Sequence, residues 1–306
     1  MKVFVSGATG VVGRRAIPLL LAQGHSVTAI VRKMPDSAAV VHGGLTFVNV
    51  DLFDPDALRR AVAGHDVVIN LATHMPSAAW KMVFRSSWRL NDRIRTEGAA
   101  NIAAAAREGG AARLIQESFA PTYPDSGDRW IDETTPLDPS DYNRTVLDAE
   151  AAATSFSDDG RAGVVLRFAA FYGPDAIQVQ GYVDGLRKGL AVLPGGADRY
   201  ISSISHDDAA SAVVAALDAS AGAYNVSDDE PVTRAVFFGS LAENLGLRPP
   251  RFLPSWATVL FGSVGEAAAR SLRLSNRKLK EETGWSPRYP SVREGWPATL
   301  AEMKGK

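Results

Sequence analysis

The chain has 306 residues, 33 Lys and Arg against 34 Asp and Glu, a formal charge of −1 and no cysteine. The absent cysteine excludes disulfides, thiolate nucleophiles, iron–sulfur clusters and cysteine zinc sites, and the balanced charge gives no basic excess for a nucleic-acid backbone. A 46% hydrophobic content over roughly two domain lengths predicts a sizeable core and about two domains, or one large α/β domain.

Lys2 to Ser6 is a short β-rich run, and Val11 to Gln23 reads as a helix ended by Gly24. Strand-like runs follow at Ser26 to Val31 and Leu45 to Val50. Asp54-Pro55 then opens a helix, with Asp as cap and Pro at the first helical position. Asp66 to Leu71 is an apolar strand of the kind buried on both faces of a parallel sheet. Asp92 to Arg107 is Ala-rich and helical, Arg113 to Glu117 is a strand, Glu150 lies in a helix, and Gly163 to Phe168 is another strand. This alternation predicts βαβ units with right-handed crossovers. Beyond residue 172, Pro and Gly clusters at 173–174, 194–196 and 249–250 mark loops and a change of packing. The apolar run Phe252 to Val264 predicts an amphipathic helix that covers the site or forms a subunit contact. Neither a signal peptide nor a run of 18 apolar residues is visible, so a cytoplasmic protein without a membrane span is expected.

Gly7-Ala8-Thr9-Gly10-Val11-Val12-Gly13 joins the first strand to the first helix. Gly7 allows a tight turn, Gly10 a close backbone approach to a pyrophosphate, and Gly13 close helix–strand packing, with Thr9, Val11 and Val12 beside the phosphates at the helix N-terminus. The spacing Gly-x-x-Gly-x-x-Gly resembles the short-chain dehydrogenase/reductase superfamily in its extended, NAD-dependent epimerase/dehydratase-like form. Asp51-Leu52, Leu71-Ala72-Thr73, Leu166-Arg167-Phe168-Ala169-Ala170-Phe171-Tyr172-Gly173-Pro174, Ser205-His206-Asp207-Asp208, Tyr224-Asn225-Val226 and Gly284-Trp285-Ser286-Pro287 are similar to that family's landmarks in order and spacing. The resemblance covers nearly the whole chain. It implies a doubly wound parallel α/β (Rossmann) sheet over residues 1–172, with part of 200–230 returning to it. Residues 173–306 would mainly form a smaller α/β substrate domain. It also implies a nicotinamide cofactor on the glycine loop, Asp51, Leu52, Leu71, Ala72, Thr73 and Phe171.

In NAD-binding relatives an acid ends the second strand and binds the ribose hydroxyls. Here Val31 takes that position and Arg32-Lys33 follow, so a 2′-phosphate is not repelled and can be bonded by Arg32 and Lys33. NADP is therefore the expected cofactor.

The family's Tyr-x-x-x-Lys corresponds to Tyr142-Asn143-Arg144-Thr145-Val146, so Val146 stands where Lys should be. Without the ammonium, Tyr142 keeps a pKa near ~10 and is a poor base at neutral pH. Ser118 is the candidate upstream hydroxyl, although counting back four from Tyr123 lands on Phe119. Tyr142 and Ser118 are the expected substrate-oxygen contacts, with Glu117, Tyr123 and His74 as alternative proton donors. Trp80, Met82, Phe84 and Trp88 are candidates for an apolar pocket wall. Tyr182, Arg187, Arg199, Trp256, Arg270 and Arg273 are candidates from the second half. His25, His42, His65, His74 and His206 lack metal-ligand spacing, and no metal is expected.

The expected protein is an NADP(H)-dependent oxidoreductase. It would transfer hydride between nicotinamide and a carbonyl, alcohol or activated double bond of a small hydrophobic metabolite, such as one of secondary metabolism. A nucleotide-sugar-type epimerase or dehydratase and a non-catalytic NADP(H) sensor are the alternatives. The expected partner is a small-molecule substrate, with no nucleic acid or membrane; a homodimer follows only by family analogy.

Overall fold

The structure is a computed structural model that describes residues 1–33, 43–76, 79–158 and 160–304. Seven parallel strands form its main sheet: β1 (Lys2–Ser6), β2 (Ser26–Ile30), β3 (Leu45–Val48), β4 (Val67–Asn70), β5 (Arg113–Phe119), β6 (Ala162–Phe168) and β7 (Gly222–Val226). Their spatial order is β7-β6-β5-β4-β1-β2-β3. The chain winds outward from β1 to β3, crosses back to β4, and winds outward the other way. The crevice beyond the C-terminal ends of β1 and β4 is therefore the topological switch point, where open α/β sheets bind ligands.

The helices are α1 (Gly13–Ala22), α2 (Pro55–Val62), α3 (Arg89–Arg93), α4 (Ala99–Glu108), α5 (Val146–Phe156), α6 (Ile177–Arg187), α7 (His206–Ala215), α8 (Arg234–Asn244), α9 (Gly262–Ala269), α10 (Arg277–Thr283) and α11 (Val292–Lys304). The sheet is covered on both faces, which is why its central strands are apolar throughout. Val3, Val5, Ile69, Ile115 and Leu166 pack beneath α1 and α7. Phe4, Val68, Leu114 and Val165 pack beneath α2, α4 and α5. The Asp54 cap forms as the sequence implies: its carboxylate accepts from the Ala57 amide at 2.9 Å, with Pro55 in the first turn. Ser205 caps α7 in the same way, accepting from the Asp208 amide at 3.0 Å.

Two elements differ from the sequence reading. The helix read as uniform from Asp92 to Arg107 is interrupted by a π turn at Ile94–Gly98, between α3 and α4. The run Phe252 to Val264 is not one helix. A 3₁₀ segment, Ser255–Phe261, ends at Gly262, whose φ of +55° breaks the helical path before α9. Trp256, Val259 and Leu260 stay 67% or more exposed.

The smaller C-terminal unit packs α6, α8 and α11 around Tyr172, Phe237, Phe238 and Trp296, with the Phe237 and Trp296 rings edge-on at 5.2 Å. Between these helices the chain returns to the main sheet, where β7 pairs with β6 and α7 lies on the α1 face. Among the described residues, no helix is long and apolar enough to cross a membrane.

Candidate active site

The site is built at the C-terminal strand ends. Gly7 has φ +75°, and a Cβ there would lie 2.4 Å from the Leu71 carbonyl group. A Cβ on Gly13 would lie 2.3 Å from the Gly7 oxygen. The Gly10 amide closes the turn by donating to the Gly7 carbonyl at 3.0 Å. Thr9 and Gly10 remain exposed, and no side chain caps the start of α1. The Arg14 and Arg15 amides bond the Gly10 and Val12 carbonyls at 3.1 and 3.0 Å, so the glycine loop ahead of them is the part that fits a pyrophosphate. Arg15 does not point into this opening: it bonds Asp207, Asp175 and the Val11 carbonyl.

Leu71 and Ala72 are buried behind the loop and Thr73 is exposed at the end of β4. Val31 is buried at the end of β2, while Arg32 and Lys33 extend into solvent with no acidic partner among the described residues. Asp51 is exposed and accepts from the Phe53 amide at 3.0 Å, with Leu52 half-buried next to it. Phe171 is half-buried 5.7 Å from the His206 ring. Burial pushes His206 down to about 4, so it is a neutral ring near neutral pH.

Ser118 turns away from the crevice. Its hydroxyl donates to Glu150 Oε1 at 2.5 Å. The same carboxylate takes two bonds from Arg167, which also donates to the Tyr123 hydroxyl at 2.7 Å. Tyr123 in turn donates to Asn225 Oδ1 at 2.9 Å. Ser118 and Tyr123 therefore sit in a closed, buried network that ties β5, β6, β7 and α5 together. Burial pushes the Tyr123 phenol up to about 12. Arg167 and Asn225 were legible only as parts of family landmarks and Glu150 only as a helix residue; the bonds that link them through Tyr123 were not.

Strand alternation sends Glu117 and Phe119 to the face opposite Ser118. Phe119 joins Met82, Trp88, Tyr142, Val264 and Ala267 in an aromatic-rich cluster. Trp88 and Tyr142 meet edge to face at 5.0 Å. Tyr142 is buried, and burial pushes its phenol up to about 12 despite the opposing charges of Arg95 and Arg270. Val146, wholly buried four residues on, supplies no ammonium. Glu117 bonds Arg95 at 3.3 Å, and burial raises its pKa. His74 is half-buried beyond the end of β4, its backbone amide donating to Asn91 Oδ1 at 2.9 Å.

Other candidates fall outside this cluster. Tyr182 is core, edge-on to Phe237 and Phe238. Arg187 pairs with Asp184, and Arg199 with Asp125. Arg273 lies between the Trp130 and Tyr200 rings, and Trp256 and Phe84 are exposed. Arg270 is buried near Tyr142 but is engaged by the Tyr123 carbonyl, Asp138 and Glu266. The Trp80 side chain lies outside the described residues. Arg95 is the site residue that the sequence reading missed. Its one signal is an arginine breaking the small-residue face of an otherwise Ala-rich helix.

The profile of the NAD dependent epimerase/dehydratase family matches residues 3–227. The chain belongs to this family. It is accordingly an enzyme, a hydride-transferring oxidoreductase with a nicotinamide-dinucleotide-binding Rossmann fold that acts on a small molecule. A relative from Streptomyces, a 3-diazoavenalumate denitrifying reductase, is 33% identical over 316 residues, covering 96% of this chain and 99% of its own. Among family folds, human epimerase family protein SDR39U1, solved with NADPH, superposes with a TM-score of 0.80 at 23% identity, covering 98% of this chain and 99% of its own. MoeE5, solved with UDP-glucuronic acid and NAD, gives 0.77 at 21%, covering 100% and 99%. These two structures establish the shared fold.

Proposed function

We propose that this enzyme is an NADP(H)-dependent reductase that removes a diazo group from a small aromatic substrate as N2. The observation that carries the reading is Val146, wholly buried where the family's lysine would stand, beside a Tyr142 phenol that burial keeps neutral. A carbonyl reduction needs a proton for the developing alkoxide. Reductive loss of a diazonium group does not: Ar–N2⁺ and a hydride give Ar–H and N2, with charge and atoms balanced and no proton drawn from the protein. The absent lysine is then a consequence of the chemistry. The full-length diazo-reducing relative supports the same substrate class.

Gly7, Thr9, Gly10, Val11, Val12 and Gly13 hold the cofactor pyrophosphate in this reading, with Asp51, Leu52, Leu71, Ala72, Thr73 and Phe171 around the rest. Arg32 and Lys33 hold the 2′-phosphate, because Val31 offers no carboxylate to repel it. The bound, reduced nicotinamide supplies the hydride. Phe119, Trp88, Met82 and Val264 hold the substrate ring and exclude water. Tyr142 forms one wall and orients the ring by its edge contact with Trp88. Ser118 and Tyr123 act through the Glu150–Arg167 network as positioning residues. Glu117 and His74 lie at the ends of β5 and β4 without serving as obligatory acids.

The test is an assay with NADPH and an arenediazonium acid, following NADPH oxidation and N2 release together. The expected result is one N2 per NADPH. Net turnover also separates this reading from an epimerase or dehydratase, which would show no net NADPH oxidation. Enzyme that leaves NADPH unoxidised with diazonium substrates yet reduces ketones contradicts the reading.

A further inference from the structure

Arg95 stands out among the charged groups near the Trp88–Tyr142 cluster. It is 6% exposed, and its Nε has no hydrogen-bond partner among the described residues. Its one acidic contact is a long 3.3 Å bond to Glu117, whose other oxygen is also unpartnered. Asn91, one turn earlier and fully buried, has an unpartnered side-chain amide nitrogen. Three buried polar atoms without partners beside an apolar cluster need an explanation, since an unsatisfied buried polar group is costly. The π turn at Ile94–Gly98 contains Arg95, and such turns often occur where a helix must aim a side chain at a ligand. The guanidinium charge also acts on the Tyr142 phenol, a member of that cluster.

We propose that Arg95, with Asn91 beside it, anchors a carboxylate carried by the aromatic substrate. A planar fork of N–H donors matches a carboxylate. Burial raises the Glu117 pKa above the usual carboxylate range, against the opposing charge of Arg95. The enzyme's substrates are therefore aromatic acids, oriented with the ring against Trp88, Phe119 and Tyr142 and the carboxylate at the π turn. This inference rests on the proposed reading that the aromatic cluster borders the substrate site, but it does not depend on the reaction performed there.

The test is a titration of the NADP⁺-loaded enzyme with cinnamate and with methyl cinnamate, which share a ring and differ in charge. The acid is expected to bind at least about tenfold more tightly than the ester. Arg95→Met should erase that preference while leaving ester affinity and cofactor affinity unchanged. Arg95→Lys should retain part of it, because a point charge replaces the fork. Equal binding of acid and ester by wild type, or no binding of either, overturns the proposal even if Arg95→Met fails to fold. A preserved preference in folded Arg95→Met overturns it as well. Because no turnover is read, a protein that binds the acid but reduces no diazo compound would sink the proposed reaction and leave this inference standing.

Discussion

Arg167 and Glu150 meet fork to fork in the interior, at 2.9 Å between Nε and Oε1 and 2.7 Å between Nη2 and Oε2. The pair joins β6 to α5, and the residues it holds, Ser118 and Tyr123, come from β5 and the loop after it. Removing one partner strands a buried charge. Glu150→Ala should therefore lower unfolding free energy by about 3–5 kcal/mol, measured by urea denaturation. A loss below about 1 kcal/mol would mean that the pair is screened by solvent.

Gly10 separates a folding requirement from a binding requirement. Its added Cβ would lie 3.1 Å from the Gly7 oxygen, a tight but tolerable approach, whereas Gly7 has no room at all. Gly10→Ala should keep the fold and weaken NADPH binding by about tenfold or more, because the methyl group occupies the pyrophosphate's approach. Calorimetric titration against unchanged thermal melting reads both quantities.

Arg32 should discriminate between the two nicotinamide cofactors. Losing one charge-assisted, bidentate phosphate contact is worth about 1.5–3 kcal/mol, so Arg32→Ser should weaken NADPH binding by about tenfold or more. NADH affinity should not change. Equal losses for both cofactors would show that Arg32 does not read the 2′-phosphate.

Asp228 gives stability a pH dependence. It is fully buried, accepts one bond from Ser203 at 2.9 Å, and has one unpartnered oxygen. Burial raises its folded-state pKa well above the usual value. The folded protein then binds this proton more tightly than the unfolded chain does. Its contribution is fully present below the unfolded pKa and is lost as pH rises toward the folded one. Unfolding free energy at about pH 8 should be lower than at about pH 5, and Asp228→Asn should reduce that difference. An identical pH slope in the variant would assign the effect to another carboxyl, such as Asp208.

Much of the nucleotide half is legible in the sequence because its constraints are local. Gly7 and Gly13 are fixed by atoms within a few residues or on the adjoining strand end, and β4 must be apolar because both faces are covered. The position of Ser118 was within reach of the same reasoning. A period of two sends it opposite Glu117 and Phe119, and so toward α5. Its bond to Glu150 spans 32 residues and needs the fold. Arg95 was hidden for a different reason: a π turn leaves no mark in a pattern read at helical period, yet it decides which way the guanidinium points. Tyr182 reads equally as lid or core, and only the facing Phe237 and Phe238 rings settle it as core. Trp256 and its neighbours were read as one amphipathic face, but Gly262 breaks the path that would have aligned them.

The central claim is that hydride transfer here proceeds without a proton from the protein. The most direct measurement is the pH–rate profile of NADPH-dependent N2 release by wild type and Tyr142→Phe. With the Tyr142 phenol held at about 12, wild-type turnover should be flat between about pH 6 and about pH 9, and the variant should stay within about threefold of it. A wild-type profile that titrates in this range and flattens in the variant, with a loss of about tenfold or more, would contradict the claim and return Tyr142 to the role of acid.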